Sequence, residues 1–316
     1  MIIILILILI IIIILDRNKI IYENFQEYKY PIKEVKPDLI INENSDICFI
    51  FFYTKNIEDY AKHSLHNVKN YCNKHGYALQ SFSEKFNDEV YPCWNKVCSI
   101  LKLLPKYKYI VWIDCDAIIV NFDKKIEHFI NKDPSKDIYM CHDIDINKEC
   151  INSGVLIIKN TDWTNKLFKK VWNSETPHTH NDQNVLLDEI IKDIFPNDEL
   201  LKHKVMINLN TDEKLFKYKN YCHKELHPKV AIFPENDFNT HIFNYKDGDF
   251  IIHLMGTGTN SRINIMRQIN TKLGIDNYHD NKCIELIKQD NCHDRIRKTR
   301  KTCYTIDDQE YHKDLY

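Results

Sequence analysis

Glycine is scarce: the 316 residues hold six, none in a G-x-G-x-x-G or G-x-x-x-x-G-K-[ST] spacing. That excludes the backbone cradles which usually grip phosphate, so a bound phosphate must be held through side chains or a metal ion. An excess of one charge is also lacking. The 43 basic and 45 acidic side chains leave a formal charge of -2, too little to gather nucleic acid or another polyanion at long range. The 11 cysteines are odd in number and show no C-x-x-C spacing, which argues against zinc ribbons and dithiol redox motifs. Most are expected to be buried thiols. No Asn is followed two places on by Ser or Thr, which weighs against a glycosylated secretory life.

With 44% hydrophobic and 12% aromatic residues the chain can bury a large core. Its start, MIIILILILIIIIIL, is uncharged and apolar from Ile2 to Leu15, about 21 Å as a helix. It lacks the basic n-region and small-residue cleavage site of a cleavable signal. We expect an uncleaved N-terminal anchor over 1–15 and hence membrane attachment. Arg17 and Lys19 follow the run, and the positive-inside rule places that flank in the cytosol. Residues 16–44, mixed in polarity and containing Pro31 and Pro37, read as a stem.

The folded domain is expected over 45–260. Ile47–Thr54 (ICFIFFYT) is a continuous apolar run of strand length, as found in a strand covered on both faces. Ala61–His75 has helical periodicity and ends at Gly76. YALQSF reads as a strand. Trp94, Val97, Leu101 and Leu104 define an amphipathic helix stopped by Pro105, and YIVWID is a second buried strand. This alternation predicts an α/β fold with a central, mainly parallel sheet flanked by helices, whose ligands sit beyond the strands' carboxyl ends. Downstream come the strand INSGVLIIKN, helices over Trp163–Trp172 and Asp182–Lys192, and the strand DFIIHL. Residues 261–316, ending in HDRIRKTRKTC and a polar tail, read as a polar, basic extension.

Asp114-Cys115-Asp116 closes YIVWID. In extended backbone residues i and i+2 share a face, so the two carboxylates can hold one hard cation, Mn²⁺ or Mg²⁺, with a nucleotide diphosphate completing the shell. D-x-D alone is a weak signal; the buried strand before it and the apolar AIIV after it strengthen it. His253, ending FIIHL just before Gly256, is a candidate third ligand, and an imidazole favours Mn²⁺. Asp182 and Gln183, next to Asn181, open a helix. Capping explains such residues as well as a sugar-facing role does, Asp182 accepting from hydroxyls and Gln183 turning its carbonyl to the anomeric carbon. In Asn152-Ser153-Gly154 the glycine permits close approach to a ligand. Lys96 is a candidate phosphate contact, and Thr54, Asn152, Gly154 and Gly256 complete the candidate nucleotide-binding set with Asp114. Trp94 is read as packing.

In order, NYCNKHGYAL, YPCWNKVCSILKLLPKYKYIVWIDCDAIIVN, INSGVLIIKNTDW, NDQNVLLDE, VAIFPENDFNTH and YKDGDFIIHLMG resemble glycosyltransferase family 34, which includes galactosyl-, mannosyl- and xylosyltransferases. The resemblance covers about Ile47 to Gly256. It implies a GT-A type fold, a nucleotide-sugar donor (UDP-galactose foremost, or a GDP-sugar), a glycan acceptor, Mn²⁺ dependence and retention of α configuration. It makes Asp116 and His253 metal ligands, Asp114 a contact to ribose or metal water, and Asp182 and Gln183 the sugar-side pair. It further implies a single-pass type II, Golgi-like placement and assembly with related transferases. Asn181 and Gly258 depart from plant members, which often carry an acidic residue and a Lys there; Arg262 is a candidate for the missing charge. Two rival readings are a catalytically silent subunit of a transferase assembly and a D-x-D phosphohydrolase. The latter is disfavoured by Ile118, where Thr or Val is normal.

Overall fold

The computed structural model describes residues 28–143, 151–174, 182–194 and 227–276. The apolar run over 1–15, Asn181 and the tail beyond 276 lie outside them. Among the described residues no helix is long and apolar enough to cross a membrane.

The strands are β1 (Leu39–Ile41), β2 (Ile47–Phe52), β3 (Ala78–Phe82), β4 (Tyr109–Ile113), β5 (Ala117–Ile119), β6 (Ile138–Cys141), β7 (Asn152–Lys159), β8 (Val230–Phe233), β9 (Thr240–His241) and β10 (Ile251–His253). A seven-stranded sheet has the order β1-β3-β2-β4-β7-β6-β8, and a three-stranded sheet the order β5-β10-β9. In the large sheet β3, β2, β4, β6 and β8 run the same way, while β7 and β1 are reversed. The sheet is therefore parallel in its main direction, with an antiparallel insertion at β7 that the alternation of elements does not reveal.

The helices are α1 (Glu58–His75), α2 (Asn95–Leu103), α3 (Ile126–Ile130), α4 (Asp162–Trp172), α5 (Asp182–Ile194), α6 (Glu235–Phe238) and α7 (Thr259–Lys272). They cover both faces of the large sheet, which explains the unbroken apolar strands. Along β2, Cys48, Ile50 and Phe52 enter one core with Trp94, Val97 and Ile100 of the α2 region and Leu167 and Phe168 of α4. Ile47, Phe49 and Phe51 enter the other, with Val68 and Tyr71 of α1 and Met266 of α7. Period-two alternation thus feeds two cores rather than a core and solvent. Gly76 ends α1 at φ 72°, the left-handed conformation suited to glycine.

Two buried polar side chains of α1 finish the small sheet. Asn67 accepts from the Ile119 N–H at 2.9 Å and donates to the Ile119 carbonyl at 3.0 Å, acting as a substitute strand residue at the edge of β5. Ser64 donates to the Ala117 carbonyl at 2.5 Å. The strand that follows Asp116 is thereby tied to α1 as well as to β10.

Both ends of the domain differ from the expected bounds. Part of the expected stem is folded: β1 pairs with β3 through Leu39↔Ser81 and Ile41↔Leu79, and the Tyr30 carbonyl accepts from Trp172 Nε1 at 2.9 Å. The shortness of β1 and the two prolines before it, Pro31 and Pro37, hide it from a periodicity reading. Of the expected extension, 261–272 belongs to α7, which buries Arg262, Met266, Gln268 and Asn270. Three of its four buried residues are polar, and Ile263, Ile265 and Ile269 pack on the core only partly buried, so the segment reads as a polar extension. Asn270 donates to the His63 carbonyl of α1 at 3.0 Å.

Candidate metal and ligand site

β4 carries the chain to Ile113, and β5 starts at Ala117 in the other sheet. The crossing is a tight turn in which the Ala117 N–H donates to the Asp114 carbonyl at 2.9 Å, while the Asp114 N–H donates to the Gly154 carbonyl at 2.8 Å. Asp114 and Asp116 are therefore brought together by a turn and not by extended backbone, which corrects the basis of their pairing. The antiparallel register sets His253 opposite Ala117, and the Leu254 N–H donates to the Asp116 carbonyl at 2.9 Å. Register alone thus delivers His253 to the D-x-D turn from 137 residues away in sequence.

Asp114, Asp116 and His253 each present one ligand atom, and these atoms lie within 4.8 Å of one another. His253 Nε2 is 3.1 Å from Asp116 Oδ1 and 3.8 Å from Asp114 Oδ2. The remaining oxygen of each carboxylate is tied back. Asp114 Oδ1 accepts from Trp112 Nε1 at 2.6 Å and faces the Lys96 ammonium at 3.4 Å. Asp116 Oδ2 accepts from Arg262 Nη2 at 2.9 Å. Two carboxylate oxygens and one imidazole nitrogen converge, a mixed donor set that suits Mn²⁺ and accepts Mg²⁺ less readily. The residues fit a divalent cation.

The surroundings set the charges. Burial alone would raise the Asp116 carboxyl, but His253 and Arg262 hold it well below the usual carboxylate range. Asp114 is raised, chiefly by burial, with Asp116 and Asp182 adding to the rise and Lys96 and His253 opposing it. Burial works against a charged His253, yet Asp116 and Asp114 more than offset it, so its pKa lies above the usual imidazole value.

Lys96, expected as a phosphate contact, is held by groups of the protein itself. Its ammonium is buried, 3.0 Å from Asp182 Oδ2 and 3.1 Å from both the carbonyl and the hydroxyl oxygen of Ser153. Burial opposes the charge, but Asp114 and Asp182 raise its pKa above the ordinary lysine value. It joins the D-x-D turn to the start of α5. A cation enclosed by two carboxylates is already matched by internal partners, which the sequence could not show because Asp182 is 86 residues away.

Asp182 and Gln183 do approach the D-x-D turn. Asp182 accepts from Ser153 Oγ at 3.5 Å, and Gln183 Oε1 accepts from the Ser153 N–H at 2.8 Å. The carbonyl expected to face an anomeric carbon thus holds the start of β7. Gly154 approaches a side chain of the protein itself: a Cβ there would lie 2.1 Å from His253 Cε1 and 2.6 Å from its Nδ1. Asn152 is likewise engaged internally, its Oδ1 accepting from Gly154 N–H at 2.8 Å and its Nδ2 donating to Asp143 Oδ2 at 2.8 Å. Thr54 lies in the connection between β2 and α1, bonded to Asn56. Gly256 follows β10 at φ 65°. Arg262 sits on the metal-ligand candidate Asp116 and over the Tyr60 ring at 4.9 Å. Of the cysteines, Cys48, Cys72, Cys98 and Cys141 are buried free thiols, as expected.

Sequence reasoning missed Asn239, Ser153 and Trp112. Trp112 was legible, being two residues before Asp114. Asn239 is 1% exposed and bonds both His253 and Asn152, and nothing in its local sequence marks it.

Residues 68–233 match the family profile described as "Protein of unknown function, DUF273". The chain belongs to that family. The DUF273 match takes in α2, β4, the D-x-D turn and β7, and leaves His253 and Arg262 beyond its end. No curated protein matches the chain. Among solved structures it is similar to a glycosyltransferase involved in the glycosylation of the major capsid of PBCV-1, at 16% identity and a TM-score of 0.48, covering 70% of this chain and 98% of that one. It is also similar to the galactosyltransferase LgtC in complex with donor and acceptor sugar analogues, at 10% identity and a TM-score of 0.40, covering 75% and 99%. A third is the glycosyltransferase GlyE of Streptococcus pneumoniae, at 9% identity and a TM-score of 0.37, covering 76% and 66%.

Proposed function

We propose that the chain is a metal-dependent glycosyltransferase of GT-A type, moving a hexose or pentose from a nucleotide-sugar, UDP-galactose foremost, to a glycan hydroxyl with retention of α configuration. The observation that carries this reading is the convergence of Asp114 Oδ2, Asp116 Oδ1 and His253 Nε2, with the sugar-side pair Asp182 and Gln183 linked to it through Lys96 and Ser153. The ordered motifs that resemble glycosyltransferase family 34 support the same assignment.

Asp114, Asp116 and His253 would hold Mn²⁺. When bound, such a cation neutralises charge on the departing diphosphate as a Lewis acid. The protein's own part is positional. Trp112 and Lys96 fix one oxygen of Asp114, and Arg262 fixes one of Asp116, so the free oxygens face inward. Lys96 holds Asp182 in place, its ammonium 3.0 Å from Oδ2, where that carboxylate would accept from a sugar hydroxyl. Membrane attachment through 1–15, type II orientation with a Golgi-like location and assembly with related transferases belong to the same reading and rest on the sequence.

The test is nucleotide release and product linkage over a panel of UDP- and GDP-sugars with Mn²⁺, before and after chelation. Asp116→Ala should abolish metal-dependent transfer. Full transfer activity in that variant, or in the presence of excess chelator, overturns the assignment.

A further inference from the structure

The hydrogen bonds around His253 form a chain whose direction can be read from its fixed end. The Gly154 N–H is a backbone donor and can only donate; it points at Asn152 Oδ1 at 2.8 Å. The Asp143 carboxylate accepts at the other side of the same amide, 2.8 Å from Asn152 Nδ2. Asn152 is thus locked with its oxygen toward Gly154. That oxygen has a second neighbour, the side-chain amide of Asn239 at 2.7 Å, which must present Nδ2 to it. Asn239 Oδ1 is then the atom 3.1 Å from His253 Nδ1. An amide oxygen accepts only, so Nδ1 keeps its proton. Nε2, facing Asp116 and Asp114, is the nitrogen whose lone pair a cation receives.

We propose that Asn239 and Asn152 are positioning residues for the metal ligand: together with Gly154 they fix the protonation site and the plane of His253, with Nε2 as the donor. All three groups are buried, Asn239 at 1% and His253 at 3% exposure, so no solvent competes for these bonds. Asp116 by itself favours a proton on Nε2, through a charge-assisted hydrogen bond to its carboxylate. The asparagine chain opposes that preference by holding the proton at Nδ1. Partners that hold the second nitrogen of a ligating histidine typically affect metal affinity about 10–100-fold. Gly154 serves twice, since its N–H directs Asn152 and its missing Cβ leaves the space that the imidazole fills.

This inference rests on the metal-site reading above, and the experiment separates the two. Mn²⁺ binding to the full chain is titrated by the resonance of free Mn²⁺ for the wild type, Asn239→Leu, Asn152→Leu and the double variant. The same proteins labelled with ¹⁵N-histidine are loaded with Cd²⁺ as a diamagnetic probe. We expect Cd²⁺ on Nε2 of His253 with Nδ1 protonated. Each single variant should weaken Mn²⁺ binding about 10–100-fold, and the double variant should be no worse than either single one, because the two amides act in series. Cd²⁺ on Nδ1, or unaltered Mn²⁺ affinity in Asn239→Leu, overturns the proposal; should Asn152→Leu fail to fold, Asn239→Leu decides. His253→Ala and Asp116→Ala provide the control. If they abolish binding while the asparagine variants do not, the chain of amides alone has failed. If they leave wild-type binding, the metal site itself has failed.

Discussion

Replacing Lys96 with Met tests the electrostatic frame of the site. The side chains have similar length, so the change removes charge and hydrogen bonds with little change of volume. The ammonium is buried against Asp182 Oδ2 at 3.0 Å, Asp114 Oδ1 at 3.4 Å and both oxygens of Ser153 at 3.1 Å. Its loss leaves Asp114 and Asp182 without the cation that lies between them. Breaking a buried ion pair by removing one partner costs about 3–5 kcal/mol. With a urea dependence of about 2–3 kcal/mol/M, the unfolding midpoint should fall by about 1–2 M. The deficit has a definite pH dependence. Asp114 is already raised by burial in spite of Lys96; without the lysine it rises further, and protonation then relieves the repulsion. The difference between variant and wild type should therefore shrink as pH is lowered through the raised Asp114 pKa. Adding Asp182→Asn to Lys96→Met should restore part of the loss. Urea unfolding at several pH values measures all three effects. A variant within 1 kcal/mol of wild type, or a deficit independent of pH, would refute an ammonium enclosed by two carboxylates.

Gly154→Ala places a Cβ 2.1 Å from His253 Cε1, and overpacking of this kind costs about 1–3 kcal/mol; thermal melting and Mn²⁺ titration should show lower stability together with weaker binding, and unchanged values for both would mean that the ring lies elsewhere. Asn67→Leu strips the N–H and carbonyl of Ile119 of their partners, at about 1–3 kcal/mol for each buried group left unpaired; a melting temperature equal to wild type contradicts the role as a substitute strand residue. Buried His227, stacked on Trp163 at 4.7 Å, has a pKa lowered chiefly by burial, with Asp193 partly opposing. Its unfolded form binds the proton first, so stability falls as pH drops below about 6.5. His253 is shifted the other way, and its contribution is complete below that pH and lost only as pH rises through its raised folded value. Melting followed between pH 5 and 6.5 should thus be flatter in His227→Gln than in wild type; equal slopes count against the assignment.

β2 and β4 were readable because each is apolar at every position, a pattern that demands cover on both faces, and both lie where that pattern puts them, while β3 carries Gln80 and Ser81 within an otherwise apolar run. The reversed β7 was not readable. Its burial is continuous in either direction, so composition carries no sign of orientation. Arg262 presents the opposite difficulty. It lies in a polar helix, and only the packing of α7 on α1 shows that its guanidinium is buried against Asp116.

The same distinction runs through the candidate site. Asp114, Asp116 and His253 were legible as residue types at strand ends, because the chemistry of a hard cation asks for few groups of known kind. The internal contacts that hold them in place were not legible, and for a common reason. Lys96, Asn152 and Gly154 carry side-chain or backbone features that suit a ligand, and each uses them on a residue distant in sequence. A buried ammonium is costly unless internal partners surround it. So the burial of Lys96 at 6% exposure already implies that its partners belong to the protein. By the same argument the proposed nucleotide-sugar would have to find its phosphate contacts elsewhere than at Lys96. Three donor atoms face the proposed cation position, and two of them, Asp114 Oδ2 and Asp116 Oδ1, are carboxylate oxygens, the third being His253 Nε2. Under the proposed function, a diphosphate bound beside these carboxylates would need a cation between, so the proposed metal dependence would follow from the frame itself.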